Sequence, residues 1–156
     1  VDQGATPVGL EAAEAHRIAA GVPRQGHDLD ESTIPQEAAL EHDAVSFDKG
    51  CFLGQELVCR IDSRGRVNRF LRLLRTDGPM PPVGAEILSG DAVVGSVTSA
   101  GRAESGDAGD GAVALGYVHR RVEPPATVGI RLASGDLADA RISALPGADD
   151  ETSRGL

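Results

Sequence analysis

From Asn68 onward the chain is written in short apolar runs, broken at close intervals by turn residues. Arg69-Phe70-Leu71-Arg72-Leu73-Leu74-Arg75 comes first and ends at the Gly/Pro-rich Asp77-Gly78-Pro79-Met80-Pro81-Pro82. Further short strands are predicted at 86–88, 92–99, 111–117, 127–132 and 137–143. Between them lie Ser89-Gly90-Asp91, a Gly/Asp-rich loop over 101–109, Glu123-Pro124-Pro125 and Ser134-Gly135-Asp136. Five or six strands this short, with turns this regular, leave room for little but a small sandwich or barrel. With no Trp, one Tyr and three Phe, its core must be built from Val, Ile, Leu and Ala.

The first third reads differently, which makes the chain α+β. Glu11-Ala12-Ala13-Glu14-Ala15-His16-Arg17-Ile18-Ala19-Ala20 is rich in helix formers and stops at Gly21, with Pro23 just beyond. A polar loop follows, carrying the acidic run Asp28-Leu29-Asp30-Glu31 together with Ser32 and Thr33 as local caps. These acids read as solvated or capping. One helical turn is expected over 37–40, then a short apolar strand over 44–47.

That strand leads into the densest chemistry of the chain, Lys49-Gly50-Cys51-Phe52-Leu53-Gly54-Gln55-Glu56. Lys49 is the only lysine, and Cys51 is one of two cysteines. A thiol beside an ammonium, ahead of a helix-like run over 55–61, is placed for thiolate chemistry. A buried cysteine acting as a small hydrophobe is the alternative, and chemistry alone balances the two evenly. Gly50 and Gly54 permit close backbone approach, and Gln55 and Glu56 are placed to cap the helix. Beyond it run Arg60, Arg64, Arg66, Arg69, Arg72 and Arg75, of which the first three can form one patch for a carboxylate-bearing ligand. Along a strand, Arg69, Arg72 and Arg75 alternate faces.

Composition excludes several classes. A net charge of −9 argues against direct binding to nucleic acid or an anionic membrane. Cys51 and Cys59, with seven residues between them, make neither a disulfide framework nor a zinc spacing. The four histidines form no metal-binding pair, and His42, nine residues before Cys51, gives no required base for it. With no signal peptide and no long apolar run, a cytoplasmic protein is the simplest expectation. A start at Val1-Asp2, without methionine, reads as the later part of a longer chain.

The 49–56 stretch resembles the K-G-C-aromatic-x-G-Q-E signature of the YgfZ family, folate-binding proteins related to the aminomethyltransferase (T-protein) of the glycine cleavage system. His16-Arg17-Ile18-Ala19-Ala20-Gly21-Val22-Pro23 is similar to the family's helix end, and Asp28-Leu29-Asp30-Glu31 through Ile34-Pro35-Gln36-Glu37 to its following loop. Val94-Gly95-Ser96-Val97-Thr98-Ser99 and the run over 112–118 are similar to its barrel. The resemblance implies that residues 1–66 are the remnant of a middle α/β domain and 67–147 an antiparallel six-stranded barrel, with 148–156 a disordered tail. It implies tetrahydrofolate as cofactor, a missing N-terminal domain as structural partner, and a role in assembling or repairing iron–sulfur client proteins, including tRNA-modifying enzymes. Cys51 and Lys49 map to the working thiol and its neighbour, with Gly50, Gly54, Gln55, Glu56, Arg60 and Arg64 expected around the cofactor. A folate-dependent aminomethyltransferase and a non-catalytic interaction module are the alternatives. Aminomethyltransferases usually carry Glu where this chain has Ala19, which weighs toward the first reading.

Overall fold

The computed structural model describes residues 4, 6–46, 49–51, 53–56, 58, 67–103 and 111–147. Its centre is a closed barrel of six antiparallel strands: β1 (Arg69–Thr76), β2 (Glu86–Ser89), β3 (Ala92–Arg102), β4 (Ala112–His119), β5 (Ala126–Arg131) and β6 (Leu137–Ser143). The order around the barrel is β1-β4-β3-β2-β5-β6, so every strand edge is paired and closure removes the exposed edges of an open sheet. The barrel is filled with side chains: Leu74, Ile87, Val97, Ala114, Val118, Ile130 and Ile142 are each buried within it. A Cβ on Gly116 would sit 2.7 Å from the Ser96 carbonyl oxygen and 3.0 Å from Ile87, so glycine is needed there.

Both faces of β4 are buried, over the whole of Ala112–Val118. Ala114 and Val118 point into the barrel, while Val113, Leu115 and Tyr117 point outward into a second apolar cluster. That outer cluster joins Leu71 and Leu73 of β1 to Ile18 of helix α1 (Leu10–Ala19), to Ala38 and to Leu145. Ile18 is only 1% exposed. Burying a side chain of its size contributes about 1.5–3 kcal/mol toward holding a ten-residue helix that would not persist alone. Helix α1 ends where glycine was expected to stop it: Gly21 has φ +71°, and a Cβ there would strike Pro146. The N-terminal segment is therefore packed on the outer wall of β1, β3 and β4.

Two local expectations are corrected. Pro35 starts a 3-10 turn over Pro35–Glu37, two residues earlier than the helical turn expected at 37–40, and the left-handed Ala39 (φ 56°) ends any continuation. The strand expected at 44–47 is absent among the described residues. Ala44 instead closes a short helix, α2 (Glu41–Ala44), and Val45 is extended with no neighbouring strand to pair with. Part of the helix expected over 55–61 is present, since Gln55, Glu56 and Val58 are helical. The rest of it, the end of the 44–47 segment and the 148–156 tail lie outside the described residues. Among those described, no helix is long and apolar enough to cross a membrane.

Candidate functional site

Strand β3 carries an irregularity that organises the polar chemistry. Val97 pairs with Gly116 and Ser99 with Leu115, which leaves Thr98 as an extra residue between two partners on β4. Such a bulge re-aims side chains. Both Thr98 and Ser99 hydrogen-bond to groups of the N-terminal segment. Thr98 donates to the Asp28 carboxylate, and Ser99 Oγ accepts from Arg17 Nη2 at 3.0 Å.

Asp28 sits at the centre of this contact. Its side chain is 0% exposed, so the acid expected to be solvated is the most deeply buried charge of the loop. One oxygen accepts from Arg17 Nη1 at 2.9 Å and from the Arg24 backbone N–H at 3.0 Å, and the other accepts from Thr98. Its backbone carbonyl takes the Tyr117 hydroxyl at 2.9 Å. Arg17 spends its full set of N–H donors on Glu14, Val22 O, Asp28 and Ser99. A buried ion pair meets its desolvation cost only with this degree of hydrogen bonding. Burial pushes the Tyr117 phenol above its usual range, which keeps it protonated as the donor to Asp28.

Asp30, two residues on, behaves as a turn former in the way expected. Oδ1 accepts from Ser32 N at 2.8 Å, Ser32 Oγ at 2.7 Å and Thr33 Oγ1 at 2.9 Å. The Ser32 hydroxyl leads the causes that hold its carboxyl below the ordinary value.

A second polar pair lies alongside. Arg69 at the start of β1 donates to Glu37 through Nε and Nη2, each at 3.1 Å, a bidentate fork. The Arg69 guanidinium also stands 4.5 Å over the Tyr117 ring. Glu37 raises the Arg69 pKa further above its already high value. Arg69 is thus held from two sides while 42% of its side chain stays exposed. Next to Glu37, the buried Gln36 donates from Nε2 to Val58 O at 3.0 Å and so ties this loop to the segment that follows the signature stretch.

The predicted site residues that are described lie mostly at the surface. Lys49, Gly50, Cys51, Gly54 and Glu56 are exposed and Gln55 is half-buried. Cys51 is a free, exposed thiol, which removes the buried-hydrophobe alternative for it. Gly54 needs glycine, with φ +84° at the turn that Val58 N–H closes on Gly54 O at 3.3 Å. Arg60 and Arg64 lie outside the described residues. Among the described residues, no group of His, Cys, Asp or Glu could hold a metal ion. Sequence reasoning missed Arg17, Gln36, Glu37, Arg69 and Tyr117. One usable signal for the first was an arginine on the apolar side of an alanine-rich helix, one position before the buried Ile18.

No family model matches the chain. The chain is 36% identical over 146 residues to an aminomethyltransferase of Thermus thermophilus, a match covering 94% of this chain and 38% of that protein. It is 32% identical over 98 residues to an aminomethyltransferase of Thermoanaerobacter pseudethanolicus, covering 63% of this chain and 26% of that one. The solved structure of the glycine cleavage system aminomethyltransferase T from Bartonella henselae superposes with a TM-score of 0.75 at 30% identity. That superposition covers 89% of this chain and 38% of that one. The chain thus spans 38% or less of the length of these relatives. The homologues of this chain are aminomethyltransferases, and it shares their barrel fold.

Proposed function

We propose that this chain serves tetrahydrofolate-dependent one-carbon transfer, contributing the barrel and the 49–56 turn of an aminomethyltransferase-like protein. The observation that carries the reading is the 36% identity to the Thermus aminomethyltransferase over 94% of the chain, a span that takes in both the turn and the barrel. It reverses the weighting that Ala19 and the signature stretch gave from sequence, because the relatives bear the name of the transferase.

The residues present suit a folate. Its carrier role is to hold the one-carbon unit, and its glutamate tail presents carboxylates. Arg69, braced by Glu37 and Tyr117 yet partly exposed, is prepared to meet a carboxylate without being re-ordered. Lys49, on the exposed turn, offers a second cation, and Gly50 and Gly54 allow a ligand close to the backbone. Gln55 and Glu56 then lie within the same turn as further polar contacts.

A second reading is favoured by one feature. The exposed thiol of Cys51 fits an accessory factor for iron–sulfur proteins, in which that thiol is the working group. The two readings part in one assay. In transfer of a one-carbon unit from an aminomethyl donor to tetrahydrofolate, Cys51→Ser should keep the rate within about twofold, since the substitution removes a thiol and little volume. A protein that shows no transfer, but whose rescue of iron–sulfur enzyme activity in cells vanishes in Cys51→Ser, would exchange the first reading for the second.

A further inference from the structure

The described residues of the 49–56 turn cannot be placed by burial, because most of them have none. Lys49, Gly50, Cys51, Gly54 and Glu56 are exposed, and Leu53 is 104% exposed. The nearest buried point is Val58, at 8%. Its N–H closes the turn on Gly54 O, and its carbonyl accepts from Gln36 Nε2, 22 residues earlier in the chain, in a buried setting.

Gln36 is a poor choice for stability alone. It is 7% exposed, and its Oε1 is buried with no hydrogen-bond partner among the described residues. Methionine or leucine would occupy a similar volume without stranding an acceptor, and replacing a partly satisfied polar group by an apolar one is commonly neutral or stabilising. What neither can do is fix the direction of the Val58 carbonyl. Gln36 is itself held in place: Pro35 fixes the start of its 3-10 turn, and the neighbouring Glu37 is forked to Arg69 of β1. A continuous set of contacts therefore runs from the barrel wall through Arg69, Glu37 and Gln36 to Val58.

We infer that Gln36 is a positioning residue, which sets the 49–56 turn against the barrel through the Val58 carbonyl. The inference rests on the reading above that this turn does chemistry; its test does not involve folate, so either can fail alone. The test is hydrogen exchange on the intact chain, combined with thermal melting, for Gln36→Met and Gln36→Glu. In Gln36→Met the melting temperature should hold or rise, while the Val58 amide exchanges up to about tenfold faster. In Gln36→Glu the ionised carboxylate cannot donate to a carbonyl, so exchange should be faster at pH 7. Once protonated in acid the carboxyl can donate, and protection relative to the unsubstituted chain at the same pH should return. A melting temperature that falls in Gln36→Met, with protection lost across the whole barrel, would make Gln36 a structural residue only. Unchanged Val58 protection in both variants would overturn the inference as well.

Discussion

Asp28→Ala should cost about 3–5 kcal/mol, which for a chain of this size lowers the melting temperature by roughly 10 °C. The substitution strips an acceptor from Arg17 Nη1, from the Arg24 N–H and from Thr98 at once. It also leaves the Arg17 guanidinium, only 15% exposed, beside an apolar methyl. The loss comes mostly from the buried donors left without an acceptor, since Arg17 keeps its ion pair with Glu14, so a second change should recover part of it. Arg17→Met combined with Asp28→Leu should cost less than Asp28→Ala alone, and a denaturant-unfolding mutant cycle measures the difference. A single-variant cost below about 1 kcal/mol would mean that the network is solvated in solution.

The second large effect is steric. Gly95 of β3 lies opposite Val118 of β4, and a Cβ built there would overlap the carbonyl oxygen of Tyr117. It would also stand 2.9 Å from the Tyr117 carbonyl carbon and 3.1 Å from the Val118 Cα. All three are backbone atoms, so no side chain can rotate away to make room. Gly95→Ala should therefore cost about 4 kcal/mol or more, in the range reserved for disrupted packing, and separate β3 from β4 near the Thr98 bulge. Circular dichroism melting checks it; a shift of less than about 2 °C would show that the two strands part cheaply there.

The barrel was legible because its signals are local. Ser89-Gly90-Asp91 and Ser134-Gly135-Asp136 fall between paired strands, with Gly90 and Gly135 both at positive φ, and the runs between turns are of strand length. Gly21 marked the end of α1 in the same local way. The count of six strands and their closure came with the family resemblance. The polar site was not legible, since each of its bonds joins distant positions: Arg17 reaches Ser99, Thr98 reaches Asp28, and Glu37 forks to Arg69. Within the run Asp28-Leu29-Asp30-Glu31, nothing local distinguishes the buried acid from the turn-forming one. Alternation along β1 correctly kept Arg69 and Arg72 on different faces, but it cannot say that Tyr117 and Glu37 await the first of them. Phe70, by contrast, lies beneath Arg72, with 4.8 Å between them.

The same limits apply to function. The signature around Cys51 points toward an iron–sulfur accessory role, and a single residue, Ala19, weighs against the transferase. Similarity spread over 94% of the chain outweighs one position in a helix. What the structure adds to that proposal is a braced, half-exposed arginine on the barrel wall, joined through Glu37 and Gln36 to Val58, just beyond the turn that bears Lys49 and Cys51.

Calorimetric titration of tetrahydrofolate into the protein tests that claim most directly. Saturable heat with about one folate per chain is expected, with a site about tenfold weaker in Arg69→Gln from the loss of one charge-assisted contact. No saturable heat up to about 1 mM folate, equivalent to binding weaker than about 4 kcal/mol, would contradict it.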